Sequence, residues 1–367
     1  MQDKLARKTY HILKRTFPQY NKYTLDCMAE LLLALFSHQR FTLRHIASRL
    51  LGTTNVKHKL KRLQHFLDKL SLDHSFWQSY LQTLFCLPYM RLHKRRHITL
   101  LVDATTLRDD FWILAASISY RGRSVPVYLK IWKDVHGRYE YWERVEGFLR
   151  ELHQLLPGEF TYEIIADRGF EGARMFKLCK ELGWEQVIRI NGSYKVKTSD
   201  GREFIQLHLC DDGSYRDVII GKGQPVDFLN LVLHTESEED HQRLALATSL
   251  ADPTQSVEDY KQRMWIEQTF KDLKSVLKWE SYTRKIPQNQ RLEKLIVLSC
   301  LSYGVQLCLG TQVDVPPSEQ QKTSLLQRLR HIYASAYRKT HQLYMNMVQA
   351  FRMRYQRRQK QRLATHF

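Results

Sequence analysis

Apolar positions recur along this chain in two rhythms, and the rhythm changes near residue 96. Before it, residues 31–36, 43–51 and 60–70 carry apolar side chains at helical spacing and predict short helices. After it the pattern is strand-like. Residues 98–103 and 111–120 are apolar, β-rich runs, and the tight turn Arg121-Gly122-Arg123 joins the second to residues 124–132, so the three predict an antiparallel meander. Spacings of three and four return in residues 145–156, a helix stopped by Pro157-Gly158. A strand at 162–167, a helix at 173–182 closed by Gly183 and a strand at 185–190 follow. Residues 192–248 then alternate again, with strands predicted at 194–197, 203–209, 215–220, 228–234 and 243–247 between turn signals such as Asp200-Gly201 and Asp212-Gly213. A helix starting near Val257 and an apolar core helix at 295–309 complete the pattern.

Three meandering strands, a helix, a strand, a helix and a strand give an α/β protein with a ribonuclease-H-like mixed-sheet core. The β-rich stretch at about 192–248 reads as an insertion, and helical regions flank the core at both termini.

Candidate chemistry falls at three places on this framework. Asp103 ends the first apolar run, and Asp167 ends the strand before Arg168-Gly169-Phe170; each reads as a carboxylate emerging at the C-terminal end of a buried strand. The third place is Tyr260-Lys-Gln-Arg263-Met-Trp-Ile-Glu267-Gln-Thr-Phe-Lys-Asp-Leu-Lys274. On one continuous helix, Tyr260, Arg263, Glu267 and Lys274 fall within an arc of about 60°, beside an apolar stripe of Ile266, Phe270, Leu273 and Leu277. Two cations beside one carboxylate suit a site for a metal ion and nucleic-acid phosphates; a charged row also suits a solvated helix face. Asp109, Asp110, Glu171 and Asp272 compete for the acidic roles. Asp272, about 140° from Glu267, is expected to face elsewhere, and Glu171 to hold Arg168 or a water beside the site.

With these motifs in this order the chain resembles the DDE transposases of bacterial insertion sequences. It is most similar to the group bearing a Tyr-(2)-Arg-(3)-Glu-(6)-Lys signature, the insertion-sequence-four type that includes the transposases of transposons five and ten. The resemblance spans roughly residues 25–280 and includes Thr105 and the segment Leu246-Ala-Thr248-Ser-Leu250. It implies that Asp103, Asp167 and Glu267 are catalytic and ligate two Mg²⁺ or Mn²⁺ ions, with Asp103 bridging both. It also implies that Tyr260, Arg263, Lys274 and Arg168 contact double-stranded DNA, both inverted-repeat ends and target, in a homodimer assembled on DNA. The β insertion of that family stacks a flipped base on a Trp. Here no Trp lies between Trp184 and Trp265, which leaves Phe204, Tyr215 and Phe228 as substitutes.

Composition agrees with a polyanionic partner. The formal net charge is +19, and residues 320–367 hold eleven Lys and Arg with no Asp or Glu. Residues 41–50 suggest a helix-turn-helix element capped by Thr42 and stopped by Gly52, and Lys57, Lys59, Lys61, Arg62, Arg91, Lys94, Arg95 and Arg96 predict a basic surface around it. The expected division is a helical DNA-binding domain at 1–95, a catalytic domain at 96–285 and a helical basic region at 286–367, whose apolar stripe at 325–347 is a candidate for pairing two copies. The six Cys show no zinc-binding spacing and read as reduced thiols; no His pair lies near the carboxylates and no run is long enough to span a bilayer. A cytoplasmic, nucleoid-associated bacterial enzyme is the expectation. A catalytically inactive DNA-binding regulator and a metal-dependent endonuclease without strand transfer are the alternatives.

Overall fold

The computed structural model describes residues 2–37, 40–86, 96–108, 110–120, 122–133, 137–197, 204–222, 224–235, 243–275, 277–281 and 289–310. The expected meander forms from β1 (His97–Leu107), β2 (Phe111–Tyr120) and β3 (Arg123–Lys133), antiparallel throughout. β4 (Thr161–Ala166) lies parallel to β1 on its other side, and β5 (Glu185–Arg189) lies parallel to β4. These five strands in the order β3-β2-β1-β4-β5 are the ribonuclease-H-like core. Helices α6 (Gly137–Leu155) and α7 (Ala173–Leu182) make the parallel crossovers that such neighbours require.

The insertion does not form a separate sheet. Its strands β6 (Lys195–Lys197), β7 (Ile205–Gln206), β8 (Gly213–Lys222), β9 (Gln224–Thr235) and β10 (Arg243–Thr248) continue the core sheet beyond β5, giving ten strands in all. The junction is the antiparallel pairing of β10 with β5, Ala247 opposite Ile188. The strand expected at 203–209 shrinks to Ile205–Gln206, because Leu207–Leu209 turns into a 3₁₀ helix that buries Leu207 and leaves Leu209 exposed.

The N-terminal region contains five helices among the described residues: α1 (Gln2–Thr16), α2 (Lys22–Ser37), α3 (Leu43–Arg49), α4 (Val56–Lys69) and α5 (His74–Cys86). Residues 41–50 form α3 alone, capped as expected by Thr42, whose Oγ1 accepts from His45 N–H at 3.3 Å; its helical partner is α4. The basic surface is smaller than expected. Lys59 is buried, donating to Leu50 O at 2.7 Å, and Arg62 pairs with Glu30. Lys57 and Lys61 remain exposed on α4, whereas Arg91, Lys94 and Arg95 lie outside the described residues.

Helix α10 (Asn289–Gly310) joins this bundle to the sheet, packing on β3 with one side and on α2 and α4 with another. Gly304 permits the approach, since a Cβ there would stand 3.1 Å from Val125 Cγ1. At the far side Arg291 grips Asp68 through Nε at 2.5 Å and Nη2 at 2.7 Å, a fork geometry that fixes the helix in register. The basic stretch 320–367 and the stripe proposed for pairing lie outside the described residues.

Candidate active site

The sheet register brings the first two carboxylates together. β1 and β4 pair in parallel up to Val102 opposite Ala166, and β4 and β5 up to Ala166 opposite Ile188. Asp103, Asp167 and Arg189 therefore occupy the next rung, on strands spaced about 4.8 Å apart. Asp103 is not at a strand end. β1 runs on to Leu107 because its hairpin with β2 continues through Thr105 and Thr106, closed by Arg108 at a φ of +49°. What ends at Val102 is the pairing with β4, and that opens the edge on which Asp103 sits.

Each Asp is held by a backbone amide. Ala104 N–H donates to Asp103 Oδ1 at 2.8 Å, and Gly169 N–H donates to Asp167 Oδ1 at 2.7 Å as Asp167 caps the 3₁₀ turn Arg168–Phe170. Only glycine fits comfortably at 169, because a Cβ there would stand 3.0 Å from Asp167 Oδ1. Tyr141, on α6, donates its hydroxyl to Gly169 O at 2.9 Å and so fastens the turn from the other side. The two carboxylates keep Oδ2 for other partners.

Glu267 comes from α9 (Met264–Ser275), laid across β1, β2 and β3. Buried polar contacts set its position: Ser124 N–H and Thr269 Oγ1 lie 3.0 Å apart, and Arg123 Nε donates to Asp272 Oδ2 at 2.8 Å. Tyr303 on α10 donates to the same Asp272 oxygen at 2.8 Å. Asp272 thus faces away from the site, as its angle on the helix predicts, and serves as an anchor.

The single helix expected at 260–274 is broken. Tyr260 belongs to the short helix α8 (Ser256–Lys261), and Arg263 lies at the joint with α9. Across the joint the amides of Gln262, Arg263, Trp265 and Ile266 bond three residues back, tightening the turn. The row of four side chains is therefore not straight. Arg263 is turned in over the carboxylates: Nη2 donates to Glu267 Oε1 at 2.5 Å and Nη1 lies 3.6 Å from Asp103 Oδ2. Its Nε and the hydroxyl of Tyr260 are buried without a hydrogen-bond partner. Lys274, half-buried two turns further along α9, makes no ion pair with any described residue.

Electrostatics mark the same cluster. Burial pushes the Asp103 carboxyl up to about 7; the Ala104 amide pulls against this, the Asp167 charge adds to it, Arg263 opposes it and Glu267 adds further. Tyr141 is raised by burial and then by Asp167 and Asp103. Arg263 is held well in its charged form, since Tyr260, Glu267 and Asp103 together outweigh its burial.

The donor set suits a hard divalent cation. Three carboxylates, two with an oxygen to spare, face one another across a half-buried edge that holds excess negative charge. Among the described residues no three acidic, His or Cys side chains are already closed into a cage, and between Asp103 and Glu267 it is the guanidinium of Arg263 that fills the gap.

Arg189 and Tyr141 were not singled out from the sequence. Arg189 lies in a concave surface with the exposed Arg168 and His208 and the half-buried Asn191 and Arg243, the last paired with Asp212, between the core and the insertion. Glu171 does not hold Arg168; Oε2 accepts from Asn191 N–H at 2.8 Å and fixes the chain entering the insertion. Phe204 is exposed and Tyr215 half-buried, while the side chain of Phe228 and all of Asp109 lie outside the described residues.

Comparison with curated proteins finds no match to this chain. Residues 141–303 match a family model described as "Transposase DDE domain", a span that contains Asp167, Tyr260, Arg263, Glu267 and Lys274 and begins after Asp103. Together with the ribonuclease-H-like sheet, that similarity supports a DDE transposase, a DNA-processing enzyme.

Proposed function

We propose that the protein is the transposase of an insertion sequence of the insertion-sequence-four type. It binds the inverted-repeat ends of its own element, cleaves them and transfers their 3′-hydroxyl ends to target DNA, acting as a homodimer on DNA. The observation that carries this reading is the convergence of Asp103, Asp167 and Glu267 at the open edge of a ribonuclease-H-like sheet, with Arg263 paired to two of them.

Asp103, Asp167 and Glu267 would hold the metal ions, two of Mg²⁺ or Mn²⁺. When bound, these supply activation of the attacking water or 3′-hydroxyl and neutralisation of charge on the leaving oxygen. The chain's own residues do the rest. The Ala104 and Gly169 amides keep the aspartates from rotating, and Arg123, Ser124 and Thr269 hold α9 so that Glu267 stays over them. Arg168, Arg189 and Lys274 grip backbone phosphates, Arg as a planar fork and Lys as a point charge. Tyr260 positions the strand through its hydroxyl or ring. Residues 1–95 form the end-binding domain, with Lys57 and Lys61 on the exposed face of α4, residues 96–285 the catalytic domain and 286–367 a basic region that supports pairing.

The test is cleavage and joining of a DNA carrying the element's ends by the full chain with Mg²⁺ or Mn²⁺. D103N, D167N and E267Q each abolish cleavage and leave end binding largely intact, because each removes a metal ligand without touching the basic surfaces. Near-normal cleavage by any one of them overturns the assignment of that residue. Cleavage by the wild type without joining would make the protein a nuclease.

A further inference from the structure

Arg263 stands where cations are wanted, and one of its donors goes unused there. It spans Glu267 Oε1 at 2.5 Å and Asp103 Oδ2 at 3.6 Å, with its side chain only 11% exposed. Yet its Nε is buried with no acceptor, and the neighbouring Tyr260 hydroxyl is buried and unpartnered too. A purely structural arginine in this protein looks different. Arg123 donates Nε to Asp272 at 2.8 Å and Nη1 to Gly122 O at 2.9 Å, and Tyr303 completes the same carboxylate at 2.8 Å.

The backbone at Arg263 is also unlike that of an anchor. It falls at the joint between α8 and α9, where Arg263 N–H bonds Tyr260 O at 2.9 Å and Ile266 N–H bonds Arg263 O at 3.1 Å, each three residues back. A side chain at such a joint swings through a change in a few dihedrals without unwinding either helix. In the position it holds on the carboxylates its guanidinium carbon lies 5.7 Å from the centre of the Tyr260 ring, so that ring flanks it on one side.

We propose that Arg263 is an exchangeable counter-cation: in the DNA-free protein its guanidinium occupies the space between Asp103 and Glu267, and a divalent cation must displace it to bind there. The proposal rests on the reading of Asp103 and Glu267 as metal ligands. It assigns Arg263 two positions, one on the carboxylates and one, after displacement, towards the DNA backbone. A phosphate that draws Arg263 away frees the carboxylates, so DNA and metal assist each other's binding, and by linkage the assistance is mutual. The free enzyme is thereby kept from loading metal and cutting at random.

The experiment is Mn²⁺ binding to the DNA-free full chain, followed by calorimetric titration and by electron paramagnetic resonance of the free ion, for wild type, R263Q, R263K and D103N. Removing a positive charge within a few ångströms of the incoming ion is expected to tighten Mn²⁺ binding by R263Q about tenfold or more. R263K keeps the charge but cannot bridge both carboxylates, so it is expected to tighten binding by a smaller factor; it keeps the test open should R263Q fail to fold. Binding to R263Q, or failing that to R263K, that equals or falls below wild type overturns the proposal and makes Arg263 a builder of the site. D103N is expected to abolish binding. If D103N binds Mn²⁺ like wild type, the metal assignment itself fails, a result separate from the behaviour of the Arg263 variants.

Discussion

Replacing Asp103 by Asn should stabilise the metal-free protein while destroying its activity. Asp103 is 8% exposed, and burial aided by Asp167 and Glu267 pushes its carboxyl up to about 7. An unfolded chain ionises the same group near pH 4, so the folded state carries a proton that the unfolded state has lost between about pH 4 and 7. Stability contributed by the protonated group is full below pH 4 and is lost as the pH rises to about 7. The gap of about three pKa units corresponds to a penalty of about 4 kcal/mol at pH 8. Asparagine is a permanent stand-in for the protonated form and can still accept from the Ala104 amide. It gives up the attraction of Arg263, which keeps its bond to Glu267. We therefore expect D103N to gain about 1–3 kcal/mol at pH 8 and close to nothing at pH 4.5. Urea denaturation of metal-free wild type and D103N at four or five values between pH 4.5 and 8.5 measures the difference directly. Mn²⁺ should raise the midpoint of wild type and leave D103N unmoved. A D103N protein less stable than wild type at pH 8, or a difference that does not grow with pH, would refute the account of Asp103 as a strained, charge-crowded carboxylate.

Three further outcomes separate the roles of neighbouring residues. G169A places a Cβ 3.0 Å from Asp167 Oδ1 and pushes the carboxylate off its amide; losing a charge-assisted bond of about 1.5–3 kcal/mol should lower the denaturation midpoint and slow cleavage tenfold or more, and an unchanged rate refutes it. D272A removes the acceptor of Arg123 Nε and of the Tyr303 hydroxyl; because Arg123 is 30% exposed and can reach water, the loss should be about 2–4 kcal/mol by urea denaturation, whereas a loss under 1 kcal/mol would remove Asp272 as the anchor of α9. K274A should lower the slope of log affinity against log salt by about one unit in a DNA-binding titration, and an unchanged slope returns Lys274 to a solvated helix face.

The core strands are legible in the sequence because local rules decide them, whereas Asp103, expected at a strand end, lies inside β1. Short apolar, β-branched runs at 98–103 and 162–167 read as buried strands, and the Gly after Asp167-Arg168 marks a tight turn. The details that were illegible depend on partners distant in the chain. Nothing between Tyr260 and Glu267 breaks a helix by propensity, since the segment holds no Pro or Gly. The break falls between two tertiary contacts, Tyr260 buried beside Arg189 and Arg263 turned in towards Asp103. Arg189 was hidden for the same reason. Its place beside Asp167 appears only when β5 is set against β4 in register, as the pairing of Ile188 with Ala166 does. That β10 would add to β5 and merge insertion with core is likewise a statement about pairing across more than fifty residues, for which alternation within each strand carries no information. Such non-local choices gather around the carboxylates. Asp103, Asp167 and the adjoining Arg263 and Glu267 come from three separate stretches of the chain, so the chain must be folded before the cluster exists. The strain visible there, a carboxyl raised by burial and by its neighbours and two buried polar atoms without partners, is then a property of the assembled edge, and under the proposed function it is there that a metal ion and a phosphate would have most free energy to contribute.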